Sequence, residues 1–281
     1  MHIVPSGAVS ATQFIRRMRG KSQAPLIEAS DTFLYVVKWI FDARSACNIR
    51  NESLRNSIYG QLGLPVASWA PVDVSHEFIQ KSRGLWLNGS KERPVAGYHF
   101  GSRWVGRAEE TVFDLLPTTW HERIQNRAAF WGAYVADVWT MRRDPRQAIF
   151  VEDHVSGDVR VVFIDHGSTY PVTYKSQPTN FEGLFYPDRT IYDESCRTEE
   201  LHFWIQQVRC LGEAAVRTSY DSVPSEWKTA SIDVFAEFLI KRIGELENLV
   251  LSASRPFHAE GNRPIRVIPK RSAPFDPGIL A

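Results

Sequence analysis

The sequence has little cysteine, little net charge and no long apolar run, and each absence excludes a class of protein. Its three cysteines are scattered and lack C-x-x-C spacing, which disfavours a disulfide framework or zinc site and favours a reducing compartment. The formal net charge of +1 gives no field that favours nucleic acid or an acidic membrane. No stretch reaches about 18 uninterrupted apolar residues, and the N-terminus does not resemble a signal peptide. We therefore expect a cytoplasmic protein without membrane or direct nucleic-acid binding.

The length and composition are those of an ordinary folded protein. The 281 residues, 43% hydrophobic and 23% charged, suffice for one large domain or for two lobes with a cleft between them. Strand patterns dominate the first ~110 residues and helix patterns dominate the rest, which predicts an α+β fold. We divide the chain into residues 1–115, 116–252 and 253–281, the last a proline-rich basic tail expected to be extended or disordered.

A lysine and a glutamate stand out in the first part of the chain. Residues 26–29 and 33–39 are predicted to form two strands, with Lys38 near the end of the second. Residues 50–62 carry apolar residues at helical spacing and are predicted to form a helix with Glu52 near its start. Both positions also have a structural interpretation, because a strand-end lysine often faces solvent and an acid in a first helical turn often serves the helix dipole.

The remaining elements of the first part are less distinctive. Apolar residues on one side of residues 10–19 predict a short basic helix. Residues 66–74 and 97–104 are predicted to be further strands. Residues 109–117 are predicted to link the first half of the chain to the second.

Two aspartates in the second half are predicted to meet at one place. A buried helix at residues 130–139 leads to Asp144, and a hairpin formed by residues 148–152 and 159–164 returns the chain to Asp165. Because a tight hairpin brings its two ends together, both acids can reach one point. A base, acids for Mg²⁺ and a cation on the phosphates are the few groups that metal-assisted phosphoryl transfer requires.

The order of these residues and the segments around them are distinctive. Lys38, Glu52, Asp144 and an Asp-His-Gly turn at 165–167 follow one another in the order of the corresponding protein-kinase elements, with the turn resembling Asp-Phe-Gly. The segments that carry the similarity, across roughly residues 18–250, are RGKSQAPL, FLYVVKW, RNESLRNSIYGQLGLPV, HFGSRWVG, VFDLLP, ADVWTMRRDPRQAIF, VVFIDHG, GLFYPDRTIY and VPSEW. In them the chain resembles a HipA-like kinase, in particular the compact, stand-alone branch of that family.

The resemblance implies a bilobal protein-kinase-like fold, with a strand-rich N-lobe and a helical C-lobe, that transfers the ATP γ-phosphate to a protein Ser or Thr. Asp144 would be the catalytic base, and Asp165 would be the main Mg²⁺ ligand. Lys38 would hold the α- and β-phosphates, and Glu52 would orient this lysine. The loop that would cover the phosphates consists of Gly20, Lys21, Ser22 and Gln23.

Two positions depart from the pattern that the resemblance leads us to expect. Ile149 stands five residues after the base, where many kinases place an Asn for the second metal, and Gln147 is the nearest amide that could replace it. Arg142 stands two residues before the base, where we expect an Asn. Its cation would favour the charged form of Asp144, and it could position a phosphate or mark weakened catalysis.

Several alternatives stay open at this point. Arg103 could face the nucleotide, or it could pair with Asp114 or Glu109. Ile149 and Arg142 leave open a pseudokinase or nucleotide-binding interaction protein, and related folds leave open a small-molecule kinase. HipA-like relatives of the toxin type pair with a small DNA-binding antitoxin; because this chain shows no DNA-binding segment of its own, such a partner would be encoded separately.

Overall fold

A computed structural model of the chain describes residues 7–19, 23–87, 92–168 and 181–253. The strands in these residues are β1 Val9–Arg17, β2 Pro25–Ala29, β3 Leu34–Lys38, β4 Trp69–Val74, β5 Gly97–Arg103, β6 Glu110–Phe113, β7 Gln147–Asp153 and β8 Val159–Ile164. The helices are α1 Ala43–Gln61, α2 His76–Lys81, α3 Ala129–Trp139, α4 Arg197–Ser222, α5 Ala230–Arg242 and α6 Leu246–Ala253. This mixture confirms the predicted α+β class. Nearly all of the tail predicted from residue 253 lies outside the described residues.

The first five strands form a closed barrel in the order β1-β2-β3-β5-β4. β1 closes the barrel by pairing in parallel with β4, where Val9 lies opposite Val72. The other neighbours pair antiparallel, including β2 and β3, which correspond to the two strands predicted at residues 26–29 and 33–39. Fully buried apolar side chains such as Ile27 and Val37 belong to an apolar cluster of this part of the chain. The barrel therefore has its own core, and Lys38 is the last residue of its strand β3.

The helix predicted at residues 10–19 is wrong, because most of that segment is strand β1. Its residues pair with β2 from Ala11 opposite Ala29 to Arg17 opposite Pro25, with two local shifts in register. The barrel thus satisfies the backbone groups of this segment through partners that are distant in sequence, and the local apolar spacing does not decide its structure.

Helix α1 begins at Ala43 rather than at residue 50. Asp42 caps it, since its Oδ1 accepts a hydrogen bond of 2.6 Å from the amide of Ser45, whose hydroxyl oxygen accepts in return from the amide of Asp42 at 2.9 Å. Glu52 consequently lies in the middle of the helix and not in its first turn. The helix-dipole interpretation of Glu52 is therefore wrong.

The last three strands form an antiparallel sheet in the order β6-β7-β8. The predicted hairpin is confirmed, with β7 and β8 paired from Gln147 opposite Ile164 to Glu152 opposite Val159. The segment predicted as a linker at residues 109–117 instead contains β6, which pairs with β7. The hairpin therefore returns the chain to the place where β7 began, as the two-aspartate prediction requires.

The helices of the second half pack around α3, which is buried along its whole length as predicted. Its Trp139 donates an indole hydrogen bond of 2.9 Å to the carbonyl of Leu239 in α5. The aromatic rings of α3 and the segment that follows residue 180 share one apolar cluster with α4 and α5. None of the described helices combines the length and the apolar composition needed to cross a membrane.

Candidate active site

A cleft of about 1080 Å³ is lined by strands of both sheets and by helix α1. Barrel strands β3 and β5 and the start of α1 contribute one part of the lining, and β6, β7 and the end of β8 contribute another. Six residues that the sequence singled out line this one cleft, namely Lys38, Glu52, Arg103, Asp144, Gln147 and Asp165. Chemistry-bearing residues from distant parts of the chain therefore meet at one place.

Lys38 joins the two acids of the site across this cleft. Its Nζ donates to Oε1 and Oε2 of Glu52 at 2.6 and 2.8 Å and to Oδ1 of Asp165 at 2.9 Å. The Lys38 side chain is 26% exposed and that of Glu52 is only 5% exposed, so α1 supplies the buried side of the arrangement and the cleft supplies the open side. The interpretation of Lys38 as an ordinary solvated strand-end lysine does not fit this geometry.

The charges of this cluster hold both Lys38 and Asp165 in their ionised forms. Burial lowers the pKa of Lys38, but the charges of Glu52 and Asp165 and their hydrogen bonds outweigh burial, so that pKa is raised overall. Burial raises the pKa of Asp165, but the charge and hydrogen bond of Lys38, with Arg142 and Gln147, lower it to about 2. The cleft therefore presents a carboxylate and an ammonium group that stay charged at neutral pH.

The turn that carries Asp165 depends on two special backbone positions. Asp165 has a φ of 58°, in the left-handed region where asparagine and aspartate are enriched among non-glycine residues. A Cβ atom at Gly167 would lie 2.9 Å from the carbonyl oxygen of Asn48 and 3.1 Å from Oε2 of Glu52. Glycine is therefore required there for the close approach of α1, which brings Glu52 to the site.

Asp144 is exposed and lines the cleft, directly before Pro145 in the loop that precedes β7. No hydrogen bond within the described residues engages its carboxylate, so this acid is open to a ligand in the cleft. Gln147, three residues on, donates from Nε2 to Oδ2 of Asp165 at 2.6 Å. Gln147, which the sequence suggested as the substitute metal ligand, is thus in contact with Asp165, which it suggested as the main metal ligand.

Arg142 does not reach into the cleft, so it cannot position a phosphate there. Its side chain is fully buried, and its guanidinium donates to the backbone carbonyls of Asp144, Pro145 and Asp165. Of the two possibilities that the sequence left open for Arg142, this burial excludes the positioning of a phosphate. Its partner at Asp144 is the backbone carbonyl.

Beneath the site lies a buried polar network. Asp137 accepts from the amide of Arg142 through its backbone carbonyl at 2.9 Å and from Tyr59 through Oδ1 at 2.6 Å. Arg146, which received no role, is 1% exposed and lies 3.4 Å from both Oδ1 of Asp137 and Nδ1 of His166. Burial, together with Arg146 and the nearby arginines, lowers the pKa of His166 well below its ordinary value, so this histidine stays neutral.

The remaining predicted residues are those of the phosphate-covering loop and Arg103. Gly20, Lys21 and Ser22 lie outside the described residues. Gln23 is exposed in the connection between β1 and β2, with its amide oxygen accepting a hydrogen bond from Arg17.

Arg103 lies with its guanidinium carbon 3.2 Å from the centre of the Phe33 ring. Among the described residues Arg103 forms no ion pair with Asp114 or Glu109, the acids suggested as its structural partners.

The donor set fits a hard divalent cation such as Mg²⁺. Asp165 and Gln147 offer carboxylate and amide oxygens on groups already in contact, and Mg²⁺ prefers oxygen ligands. The described residues contain no cluster of three His, Cys, Asp or Glu side chains that would form a closed metal cage.

The fold is similar to those of solved protein kinases. The crystal structure of a Helicobacter pylori proinflammatory kinase, CtkA, aligns with a TM-score of 0.53 and 13% identity, over 89% of this chain and 98% of that one. The crystal structure of the Golgi casein kinase aligns with a TM-score of 0.50 and 10% identity, over 92% of this chain and 74% of that one. No protein-family model and no curated protein sequence matches the chain. The likeness shows a protein-kinase-like fold.

Proposed function

We propose that the protein is an ATP- and Mg²⁺-dependent phosphotransferase of the HipA-like serine/threonine kinase type. The observation that carries the proposal is Lys38, which lies within hydrogen-bond distance of both Glu52 and Asp165 in a cleft that also contains Asp144. A cation for the phosphates, an acid for the metal ion and an open acid as base are the groups that metal-assisted phosphoryl transfer uses. The kinase-like fold supports the same conclusion from the whole chain.

Each residue has one task in this proposal. Lys38 binds the α- and β-phosphates, and Glu52 holds the lysine in place from α1. Asp144 orients the acceptor hydroxyl and takes its proton, as its open carboxylate allows. Asp165 and Gln147 hold Mg²⁺, which supplies charge neutralisation for the transferred phosphoryl group when bound.

The proposal includes a bilobal arrangement with the barrel as the N-lobe. The three-stranded sheet begins at Glu110, so the sheets favour a lobe boundary in residues 104–109, slightly before the boundary at residue 115 that the sequence suggested. Among the described residues, no hydrogen bond engages the amide of Val105 in this connection, while Val105's carbonyl accepts from Arg160 at 3.1 Å. An unpaired amide at the cleft suits a nucleotide base, which would sit between the lobes.

The test is a phosphate-transfer assay with radiolabelled ATP on wild-type protein and on the Asp144→Asn variant. We expect the variant to lose about 100- to 10,000-fold in kcat, the range typical of a removed general base, while ATP binding persists. Asp221→Asn, at an exposed aspartate on α4 outside the cleft lining, is the matched control and should retain wild-type activity. Wild-type protein that binds Mg-ATP but never transfers phosphate would contradict the enzyme proposal.

A pseudokinase is the second candidate, and Ile149 is the observation that favours it. This apolar side chain lines the cleft where many kinases place a second metal ligand. ATP binding without transfer in the same assay would support this candidate. Mass spectrometry of phosphosites in a treated cell extract tests the protein acceptor, and transfer to small molecules alone would favour a small-molecule kinase. Co-purification tests the separately encoded antitoxin-like partner that the HipA-like resemblance suggests.

A further inference from the structure

We propose that Arg142 is a positioning residue, whose guanidinium fixes the loop that carries Asp144 against the turn that carries Asp165. The inference rests on the proposed function, because it gives the spacing between these two acids a catalytic meaning. The positioning role takes the place of phosphate binding by Arg142, because a buried side chain cannot contact a phosphate in the cleft.

Each nitrogen of the Arg142 guanidinium donates to a different backbone carbonyl, and we call this set of three hydrogen bonds the fork. Nε donates to the carbonyl of Asp144 at 2.7 Å, and Nη2 donates to the carbonyl of Pro145 at 2.9 Å. Both carbonyls belong to the loop that carries Asp144, here called the base loop. Nη1 donates to the carbonyl of Asp165 at 2.6 Å. Because a guanidinium is planar and rigid, it holds its three acceptors at fixed mutual distances. The two segments therefore cannot slide past each other without breaking one of these bonds.

Burial makes this fork a firm constraint. The Arg142 side chain is fully buried, with its Nε 4.0 Å from Oδ2 of Asp137, which compensates the charge. A buried cation that loses a hydrogen bond has no water to replace it, so displaced arrangements are strongly disfavoured. The relative placement of the base loop and the turn that carries Asp165 is thus set by the protein before any ligand binds, as catalysis by preorganised groups requires.

The backbone beside the fork shows the same constraint. Met141, directly before Arg142, has a φ of 52°, and Asp165 has a φ of 58°, so both are non-glycine residues in the left-handed region. Such conformations persist where surrounding contacts over-determine them. The bond from Arg142 to the carbonyl of Asp165 is one of these contacts, and the resulting turn brings the Asp165 carboxylate to Lys38 and Gln147.

The experiment compares Arg142→Lys and Arg142→Met with wild-type protein in steady-state phosphate transfer, with thermal unfolding measured in parallel. Lysine keeps the charge, but its three donors radiate from one nitrogen, so it cannot reproduce the planar arrangement that spans both segments. We expect kcat to fall about 100-fold in both variants, because a misplacement of about 1 Å has an effect of that size, while KM for ATP changes less than about threefold. We also expect added guanidinium ion at millimolar concentration to restore part of kcat in Arg142→Ala.

Arg242→Lys is the matched control. Arg242 is 2% exposed and donates to the carbonyl of Val138 at 3.3 Å, but it is absent from the cleft lining. We expect this variant to lose thermal stability and to keep its kcat, which separates a buried arginine in general from Arg142 in particular.

The outcomes distinguish the two proposals. Transfer by the wild type with a normal kcat in Arg142→Lys would overturn the positioning role and leave the kinase function intact. A large loss of kcat in Arg142→Met alone would show that the charge of Arg142 matters and that the fork does not. This result would also overturn the positioning role. If every Arg142 variant unfolds while Arg242→Lys stays folded, Arg142 is a folding residue. No transfer by the wild type would overturn the proposed function itself.

Discussion

Asp165 is the residue whose ionisation carries a direct prediction for stability. Its pKa of about 2 lies below the ordinary value of 3.8, because Lys38 and its other partners outweigh burial. A depressed folded-state pKa stabilises the protein above the unfolded pKa, and this contribution is lost as the pH falls through the folded pKa. We therefore expect the difference in unfolding free energy between wild type and Asp165→Asn to be constant near neutral pH and to shrink between about pH 4 and pH 2.

Urea unfolding at a series of pH values measures that difference. Asp221→Asn, at an exposed aspartate on α4, serves as the control and should follow the wild-type curve with a constant offset. A gap for Asp165→Asn that stays unchanged down to pH 2 would show that Lys38 does not stabilise the ionised carboxylate in solution.

At the scale of elements, the contact of α1 with the Asp-His-Gly turn predicts the effect of adding one methyl group. In Gly167→Ala the new Cβ would crowd the backbone carbonyl of Asn48, which cannot retreat without moving α1, and it would also displace the carboxylate of Glu52. We expect a loss of about 1–3 kcal/mol in unfolding free energy, typical of overpacking, and a larger relative loss of phosphate transfer because Glu52 moves.

Gly244→Ala provides the comparison, since its added Cβ meets no atom within 4 Å and its φ is ordinary. Chemical denaturation and the transfer assay applied to both variants test the contact. Equal behaviour of the two alanine variants would mean that α1 does not press on the turn as the geometry requires.

Elements whose evidence is local could be predicted from the sequence, and elements decided by distant partners could not. The β7–β8 hairpin has strand patterns and a turn within one short segment, so its return of the chain to Asp165 was predictable. Strand β1 was taken for a helix because its partners Ala29 and Val72 lie far along the chain. The start of α1 was missed because its first turns are polar, although Asp42 followed three residues later by Ser45 was a signal that could have indicated it.

The site was predictable to the same extent. Lys38, Glu52 and the two aspartates follow one another in the order of the protein-kinase elements that the chain resembles, and all four line one cleft. The role of Arg142 could not be predicted, because its partners are backbone carbonyls and a carbonyl has no signature in the sequence. Its position suggested a departure from the kinase pattern, and only the burial of the side chain revealed what it contacts.

On the scale of the whole molecule, the cleft is lined by strands of both sheets, and the described residues contain two apolar clusters. A ligand that bridges both sides binds the folded state alone and stabilises it by mass action. At about 100 times its Kd, Mg-ATP should add about 2.7 kcal/mol and raise Tm by roughly 5–10 °C for a chain of this size. Thermal unfolding with and without Mg-ATP measures the shift.

Two controls make this measurement specific. ATP with EDTA should give a smaller shift than Mg-ATP, and Asp165→Asn should lose the part that depends on Mg²⁺. An unchanged Tm at millimolar Mg-ATP in the wild type would contradict nucleotide binding in the cleft, and with it both the kinase and the pseudokinase candidates.

The closed barrel has a consequence for how the protein folds during synthesis. β1 pairs with β4 through Val9 and Val72, and β5, which ends at Arg103, lies between β3 and β4. The ring of strands therefore cannot close until more than the first third of the chain has left the ribosome. Pairings of such long sequence separation fold slowly and leave strand edges open meanwhile. We expect the edge of β3 that faces away from β2 to stay unpaired until β5 arrives, so nascent chains shorter than this would need chaperones most.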